Sequence, residues 1–235
     1  TLGEMSTGVA HELNQPLSVI KTAGGFLHKK VLKGEGIDDE TMKTLTGEIN
    51  AQVDRASKII NHMREFGRKS GVVRGKVQLN KALLQALEIF RQQLKLREIE
   101  VVMDLQPDLP SVMADSNRLE QVFINLIINA RDAIEAKWWG NVESKGEAKK
   151  ISLKTFARDG LAVVEIADTG TGIPPNIIDK IFEPFFTTKQ VGKGTGLGLS
   201  ISYGIVRDYD GAIRVKSREE EGSRFIIEFP VSSEN

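Results

Sequence analysis

The sequence contains no cysteine, no excess of charge of one sign and no apolar run long enough to span a bilayer. Without cysteine, a disulfide framework and a thiolate metal site are both excluded. The 32 basic residues balance 32 acidic residues, so no bulk positive charge is present to hold a nucleic acid or an anionic membrane. A membrane-spanning helix needs about 20 apolar residues in succession. We therefore expect no nucleic acid partner and no membrane contact within this chain.

The length of 235 residues, 40% of them hydrophobic, allows one large domain or two small domains, each with its own core. The chain opens at Thr1, with neither a start methionine nor a signal peptide, inside a pattern typical of a helix that is already running. We interpret it as a fragment from which an upstream segment has been removed.

Apolar residues in the first 66 positions recur every three or four residues, which predicts two amphipathic helices. The first stripe comprises Val9, Leu13, Leu17, Ile20, Gly24, Leu27 and Val31, and the second comprises Met42, Leu45, Ile49, Val53, Ala56, Ile60, Met63 and Phe66. The glycine-containing break at 33–36, followed by Asp38 and Asp39 at a helix start, predicts an antiparallel hairpin. Because a lone hairpin leaves half of each stripe in water, we expect two chains to form a four-helix bundle.

The pattern changes after a basic, glycine-containing stretch, which predicts an interdomain linker at residues 71–77. The predicted helices beyond it are Leu79–Arg97 with Asn80 as its cap, Asp115–Lys137 and about 198–208; the predicted strands are 99–105, 151–157, 161–167, 212–217 and 224–229. The predicted fold class is therefore an all-α hairpin over residues 1–70, followed over residues 78–235 by an α+β two-layer sandwich with helices on one face of a mostly antiparallel sheet.

His11 stands apart from the apolar stripe of the first helix. It lies two residues from the nearest stripe position on each side, so at about 100° per residue it points about 200° away from the stripe, toward solvent. Glu12 follows it directly, and Pro16 removes a helical hydrogen bond five residues later, at a cost of about 3 kcal/mol unless packing compensates. From this segment alone, a solvated surface histidine in a kinked helix is the simpler interpretation, and it is the one we give to His28 and His62.

The segment His-Glu-Leu-Asn-Gln-Pro-Leu at residues 11–17 resembles the phospho-acceptor box of histidine kinases. The resemblance implies that His11 attacks the γ-phosphorus of ATP and that Glu12 orients or accepts the proton on the other ring nitrogen. Both roles suit the chemistry, because neutral imidazole is a nucleophile near pH 7 and a carboxylate fixes its tautomer. Gln15 is similar in position to a residue, Thr or Asn in many relatives, that positions water for dephosphorylating the partner. Gln15 departs from that pattern, so the resemblance does not imply phosphatase activity for this chain.

The second half has no P-loop and no protein-kinase signature, but four other segments form a pattern. They are Asn125–Ala133, Asp168–Gly172, Ile181–Phe186 and Gly194–Leu199. Each alone is a weak signal, because glycine triplets are usually turns and paired asparagines are usually polar surface. In this order and spacing they resemble the N, G1, F and G2 boxes of the Bergerat-type ATPases, and the acceptor box resembles the kinase branch of that superfamily.

This second resemblance implies ATP and Mg²⁺ as cofactors. Asp168 would accept a hydrogen bond from the exocyclic amine of adenine, while Gly170 and Gly172 let the backbone approach the base. Asn129 would offer a neutral oxygen to Mg²⁺. The other expected nucleotide contacts, including free amides at a helix start and two lysines near the transferring charge, come from Asn125, Asp132, Lys189, Lys193, Gly194, Thr195, Gly196, Leu197 and Gly198.

The Bergerat pocket also serves hydrolases, such as gyrase-type topoisomerases and heat-shock ATPases, and one position separates the two chemistries. The hydrolases resemble one another in having a glutamate, which activates water, one helical turn before the magnesium asparagine. This chain has Asn125 there, and an amide cannot act as a general base. The phosphoryl group must then pass to another nucleophile, which His11 supplies. An ATP hydrolase and a nucleotide-sensing dimer scaffold are the alternatives.

The resemblance further implies a homodimer through the hairpin and a response regulator receiver domain, with its aspartate, as the phosphoryl acceptor. The acceptor box and the Phe-Glu-Pro-Phe-Phe-Thr-Thr-Lys segment at 182–189 are most similar to the branch that includes nitrogen, dicarboxylate and oxygen sensors. Late in the domain the chain has Asp208–Gly211 where relatives often have His-Gly-Gly. We expect this part of the protein to be cytoplasmic; the sequence leaves open whether the parent protein is anchored in the inner membrane.

Overall fold

The computed structural model describes the backbone of residues 2–67, 74–138, 148–189 and 195–232, and the side chains in these ranges apart from 2–12, 58 and 61–67. The chain divides into two compact units, one made of Thr1–Lys69 with Pro184–Leu197 and the other of Ser70–Glu183 with Gly198–Asn235.

The first unit contains the helical hairpin. Helix α1 spans Leu2–Leu32 and helix α2 spans Asp39–Gly67, and the two helices pack against each other. Pro16 lies inside α1 and is buried, so packing compensates for the ladder hydrogen bond that it removes. Ala23 on α1 and Ile59 on α2 are buried in the seam. The predicted hairpin is thus confirmed.

The turn of the hairpin is specified at both ends by capping interactions. Gly34 has a φ of 66°, and the next N–H, that of Glu35, donates to the carbonyl of Lys30 at 3.1 Å. This is the arrangement in which a glycine ends a helix in the left-handed region. Asp38 then caps α2, because its Oδ1 atom accepts the N–H of Thr41 at 2.8 Å. The sequence pattern at the turn therefore predicted both helix ends.

Much of the apolar surface of the hairpin stays exposed in a single chain. Leu17 is 52% exposed on α1, and Val53 and Ile60 are each 47% exposed on α2. Val31 and Leu32, at the end of α1, are exposed as well. Exposed apolar residues along a helical hairpin are what a second hairpin would cover.

The second unit is an α/β sandwich. Its described helices are α3 (Leu79–Leu96), α4 (Ser116–Trp138) and α5 (Gly198–Asp208), and its described strands are β1 (Gly75–Val77), β2 (Glu100–Leu105), β3 (Val112–Ala114), β4 (Lys150–Arg158), β5 (Leu161–Asp168), β6 (Ala212–Arg218) and β7 (Gly222–Pro230). Five strands form one sheet in the order β2-β4-β5-β7-β6, in which β2 and β4 are parallel and the other pairs antiparallel. A short 3₁₀ turn covers Pro175–Ile177. The predicted mostly antiparallel sheet is confirmed.

Helix α4 is the centre of the helical layer, between α3 and α5 and against the sheet. Its apolar face is fully buried at Phe123, Ile127 and Ile134, and the helix packs against strands β5 and β7. This packing fixes the opposite, polar side of α4 at one edge of the layer. The two asparagines of the N box lie on that side.

Two local predictions are corrected. Helix α3 begins after Gln78, and Asn80 lies inside its first turn instead of capping it. The Asn80 amide donates to the carbonyl of Gln106, and its oxygen accepts the hydroxyl of Thr155, both at 2.8 Å, so tertiary hydrogen bonds engage the side chain. In addition, β1 lies within the predicted linker and pairs antiparallel with β3.

Candidate functional site

Asp168 is the last residue of strand β5, and its carboxylate accepts hydrogen bonds that hold the following loop in place. Its Oδ1 atom accepts the N–H of Gly170 at 2.8 Å and the N–H of Ser223, on β7, at 3.3 Å. Asp168 is buried, with 8% of its surface exposed. Both hydrogen bonds end on Oδ1, and Oδ2 accepts none from the residues that the structure describes.

The environment of Asp168 opposes its ionisation. Burial raises the pKa of this carboxyl from its usual 3.8 to about 6, against the N–H groups of Gly170 and Ser223 and the charge of Lys137, which all lower it. A perturbed carboxyl at the end of a central strand is typical of a functional position. Near pH 7 the group is still mainly ionised and able to accept a hydrogen bond.

The two glycines of this loop are required by close approach of the protein to itself. A Cβ atom on Gly170 would lie 2.5 Å from the carbonyl carbon of Ala133 on α4. Gly172 has a φ of 68°, and a Cβ atom there would lie 2.0 Å from the carbonyl oxygen of Arg218. The loop is therefore wedged between α4 and the turn that joins β6 to β7. Both glycines were predicted to allow approach to a base, and this packing is an additional reason for them.

Lys137, in the last turn of α4, belongs to the same cluster and was not predicted as a site residue. Its Nζ atom donates to the carbonyl of Glu220, in the β6–β7 turn, at 2.6 Å. The N–H of Glu220 donates to the carbonyl of Thr171 at 2.7 Å. A lysine at the end of a helix is ordinary in a sequence, so only its 8% exposure distinguishes it.

Asn125 joins α4 to the start of α5. Its amide nitrogen donates to the carbonyl of Gly198 at 3.1 Å and to the hydroxyl of Ser202 at 3.2 Å. The Ser202 hydroxyl donates to the same Gly198 carbonyl at 2.9 Å. Asn125 therefore holds the first residue of a helix, a task that requires a donor and that a carboxylate could not perform.

Asn129 and Asp132 follow on α4, and both are half-buried. The Asp132 carboxylate pairs with the guanidinium of Arg131 at 2.6 Å, and Arg131 also donates to the amide oxygen of Gln93 at 3.3 Å. The structure thus gives Asp132 an ion pair within its own helix.

The G2 segment divides between the two units at Gly198. In the first unit, Gly196 has a φ of 66°, and a Cβ atom there would lie 2.3 Å from the carbonyl carbon of Phe185. The N–H of Leu197 donates to the hydroxyl of Thr195 at 3.4 Å. In the second unit, Gly198 is the first residue of α5. The predicted glycine-rich entry to a helix is present.

Of the two lysines predicted to contact the nucleotide, the structure describes one. Lys189 is half-buried, and its backbone N–H donates to the hydroxyl of Thr187 at 3.2 Å. Lys193 and Gly194 lie outside the described residues.

The acceptor box lies on α1. The backbone of His11 and Glu12 is helical, and the predicted orientation of the His11 side chain lies outside the described residues. Gln15, one turn later, is half-buried, and its Oε1 atom accepts a hydrogen bond from the Arg55 guanidinium at 3.0 Å. His28 is exposed, as predicted for a surface histidine, whereas the His62 side chain lies outside the described residues.

The donor set fits a nucleotide with a magnesium ion. The Oδ2 atom of Asp168 has acceptor capacity for an exocyclic amine. Among the described residues no group of three or more His, Asp or Glu side chains is arranged to hold a metal. The amide oxygen of Asn129 would suit Mg²⁺, which prefers oxygen ligands and is usually bound by few protein groups. In the same described ranges, every helix is too short or too polar to cross a bilayer.

Comparison with protein families assigns both halves of the chain. Residues 1–71 match the His Kinase A (phospho-acceptor) domain, and residues 114–233 match the histidine kinase-, DNA gyrase B-, and HSP90-like ATPase family. The two-component sensor PprA of Pseudomonas aeruginosa is 34% identical over 233 residues, which cover 99% of this chain and 25% of PprA. The sensor histidine kinase ZraS of Escherichia coli (strain K12) is 33% identical, over 98% of this chain and 46% of ZraS. The chain thus spans a quarter to about half of the length of these relatives.

Solved structures agree with this assignment. The catalytic domain of histidine kinase ThkA is 33% identical, with a TM-score of 0.56 over 67% of this chain and 97% of that domain. A structure of ThkA in complex with the response regulator protein TrrA is 30% identical, with a TM-score of 0.72 over 98% of this chain and 62% of ThkA. The predicted nitrogen, dicarboxylate and oxygen sensor branch is matched only loosely by these relatives. The chain belongs to the sensor histidine kinases, with a phospho-acceptor domain of the His Kinase A type followed by an ATPase domain of the histidine kinase, gyrase and HSP90 family.

Proposed function

We propose that this chain uses ATP to phosphorylate His11 and then passes the phosphoryl group to an aspartate of a response regulator receiver domain. One observation favours transfer over hydrolysis. The residue one turn before Asn129 is Asn125, whose side-chain amide donates hydrogen bonds to Gly198 and Ser202. It has no basic lone pair with which to activate water, so an added nucleophile is needed.

The nucleotide contacts are proposed as follows. Asp168 accepts the exocyclic amine of adenine, and Gly170 and Gly172 form the loop beside it. Asn129 would hold Mg²⁺, which would supply charge neutralisation at the phosphates. The phosphate contacts are proposed for Asn125, Asp132, Lys189, Lys193, Gly194, Thr195, Gly196, Leu197 and Gly198, in support of which helix α5 begins at Gly198.

The chemical step is an in-line displacement. A nitrogen of neutral His11 forms a bond to the γ-phosphorus while the bond from that phosphorus to the bridging oxygen of ADP breaks, and the electron pair of that bond leaves with ADP. Glu12 holds the proton on the other ring nitrogen and stabilises the positive charge that develops on the imidazole. Positioning and charge neutralisation supply most of the rate enhancement in such transfers.

The partners follow from the hairpin. A second copy of the chain covers exposed apolar residues such as Leu17, Val53 and Ile60, which gives a homodimeric four-helix bundle. The receiver-domain partner is supported by the similarity to ThkA, whose complex with a response regulator has been solved. The proposed location of this chain is the cytoplasm. No contact of this chain with nucleic acid or membrane is proposed.

The test is covalent labelling by radioactive ATP in the presence of Mg²⁺. We expect the wild-type protein to acquire acid-labile phosphate. In His11→Gln the amount of label should fall by about a hundredfold or more, while the affinity for ATP stays unchanged. His28→Gln is the matched control, because His28 is an exposed histidine of the same helix, and it should label normally.

Asn129→Ala and Asp168→Ala should instead weaken ATP binding by about tenfold or more, measured by calorimetry. Rapid ATP consumption without covalent label would reject the proposal in favour of a hydrolase, and ATP binding with neither consumption nor label would favour a nucleotide-sensing scaffold.

A further inference from the structure

We propose that Lys137 is a positioning residue of the nucleotide site, which holds the loop after β5 against the β6–β7 turn. The inference rests on the proposed ATP-binding role of Asp168. It adds a residue from outside the four boxes to the machinery that binds adenine.

The burial of Lys137 requires an explanation. Lysine is almost never fully buried unless it is paired, and Lys137 is only 8% exposed. Its ammonium donates to the carbonyl of Glu220 at 2.6 Å and lies 5.1 Å from the centroid of the Trp138 ring. A hydrogen bond from a charged donor and a cation–π contact both offset the loss of water around the ammonium. The side chain is therefore held in one place at the end of α4.

The contacts around Lys137 form a closed ring of hydrogen bonds. The N–H of Thr171 donates to the carbonyl of Ala133 on α4 at 3.2 Å, and the carbonyl of Thr171 accepts the N–H of Glu220 at 2.7 Å. The carbonyl of Glu220 then accepts the ammonium of Lys137, which returns the ring to α4. Lys137 thus attaches to α4 the turn residue, Glu220, whose N–H bonds the carbonyl of Thr171. Thr171 lies between Gly170 and Gly172, the two glycines of the loop proposed to lie beside adenine.

The second contribution of Lys137 is electrostatic. The charge that lowers the pKa of buried Asp168 is that of Lys137. The charged side chains nearest in sequence or strand register to this end of β5 include Asp132 on α4, Lys150 on β4, Arg224 on β7, Arg218 at the end of β6, and Glu219, Glu220 and Glu221 in the β6–β7 turn. Among them Asp132 pairs with Arg131, Arg218 with Glu221, and Arg224 with Glu165. Removal of the lysine charge should therefore raise the pKa of Asp168 further and shift the pH range in which Asp168 is an acceptor.

The experiment compares three substitutions in the complete chain. Lys137→Met removes both charge and donor, Lys137→Gln keeps a donor without the charge, and Lys137→Arg keeps both. Lys95→Met, at an exposed lysine in the last turn of α3, is the matched control. The dissociation constant for ATP is measured by calorimetry from about pH 5 to about pH 8. Because the phosphates of ATP titrate alike with every protein, differences between variants report on the protein.

For Lys137→Met we expect ATP binding to weaken by about tenfold at pH 8, where Asp168 is ionised in both proteins. The pH midpoint of binding should rise by about one pH unit. The KM for ATP in the labelling reaction should rise with the dissociation constant, while kcat stays within about twofold, because Lys137 is assigned to the adenine end of the site. Lys137→Gln should retain more affinity but show the same rise in midpoint. Lys137→Arg and Lys95→Met should behave like the wild type.

An unchanged midpoint in both Lys137→Met and Lys137→Gln would overturn the electrostatic assignment, and unchanged affinity of Lys137→Met at pH 8 would overturn the structural one. If thermal melting finds Lys137→Met unfolded, the comparison of Lys137→Gln with Lys137→Arg decides alone. Failure of the wild-type chain to bind ATP would instead reject the proposed function and this inference with it. A wild type that binds and becomes labelled, together with variants indistinguishable from it, rejects only the role of Lys137.

Discussion

The guanidinium of Arg55 on α2 donates a hydrogen bond to the Oε1 atom of Gln15 on α1, with a distance of 3.0 Å. This contact connects the two helices of the hairpin one turn beyond His11. Gln15 occupies the position at which many relatives use a shorter polar side chain to orient water. An amide oxygen that already accepts a charged donor is a weaker acceptor for a further water proton and is held toward α2.

Shortening the side chain at position 15 should therefore increase phosphatase activity. We expect Gln15→Asn, whose oxygen falls one methylene short of Arg55, to accelerate dephosphorylation of a receiver domain by about threefold or more. Arg55→Met should have the same effect, because it releases the amide oxygen of Gln15. The measurement is loss of label from a phosphorylated receiver in the presence of ADP. Gln15→Ala is the control without a polar group, and a faster rate with alanine than with asparagine would contradict the explanation.

Asp168, the proposed adenine contact, should lower the free energy of unfolding of the ATPase domain at neutral and higher pH. Burial raises its pKa from 3.8 to about 6, so the folded state disfavours the ionised form. This difference corresponds to a destabilisation of about 3 kcal/mol above pH 6, which is relieved as the pH falls from about 6 toward 3.8. Asp168→Asn keeps the oxygen for Gly170 and Ser223 and carries no charge. We expect it to stabilise the domain by about 1–3 kcal/mol at pH 8, with little effect near pH 4, while weakening ATP binding.

Urea unfolding of the complete chain at the two pH values measures this effect, with ATP titrations in parallel. A variant that is less stable than the wild type at pH 8 would show that the hydrogen bonds to Asp168 need its charge. A stabilised variant that binds ATP normally would instead remove Asp168 from the adenine site.

Gly170, which lies where the loop after β5 approaches α4, should not tolerate a side chain. A Cβ atom on Gly170 would lie 2.5 Å from the backbone of Ala133, so Gly170→Ala must displace either the loop or the helix. We expect a loss of about 2 kcal/mol or more in stability, together with weaker ATP binding. Gly204, inside α5, is the matched control, because a Cβ atom there meets nothing within 4 Å. Gly204→Ala should leave stability unchanged or raise it by up to about 1 kcal/mol, as measured by thermal melting.

The elements that the sequence predicted well are those that depend on short-range pattern. Helices α1 and α2 follow from a stripe with helical period, and Asp38 and Gly34 end them by local hydrogen bonding and backbone conformation. The position of Asn80 was wrong because local capping preference competes with tertiary partners, here Gln106 and Thr155. No pattern within the segment itself contains those partners.

Short strands and long-range contacts were beyond the reach of the sequence for the same reason. Strand β1 has three residues, too few for an alternation to be visible, and it exists because it pairs with β3. The segment Asp208–Gly211 had no assigned consequence, but Tyr209 is buried there with the guanidinium groups of Arg74 and Arg118 at 5.8 and 5.7 Å from its ring. Arg74 also pairs with Asp210 at 2.9 Å. The segment thereby fixes the end of α5 to the start of the sandwich.

Asn125 is the residue for which sequence and structure together make the sharpest distinction between kinase and hydrolase. Asn125→Asp, nearly the same in shape, would place a carboxylate against the carbonyl of Gly198 and remove the donor to both Gly198 and Ser202. We expect ATP affinity to fall by about tenfold, because the start of α5 loses its attachment to α4. Hydrolysis should not appear, since the aspartate carboxylate would stay beside the start of α5, whereas the glutamate of the hydrolases is one methylene longer. Phosphate release and covalent labelling, measured on the same samples, separate the two outcomes, and Ser202→Ala controls for loss of the network without an added charge. A clear gain of ATP hydrolysis in Asn125→Asp would mean that a base at this position can reach water, and that the amide alone makes the wild-type chain a phosphoryl-transfer enzyme.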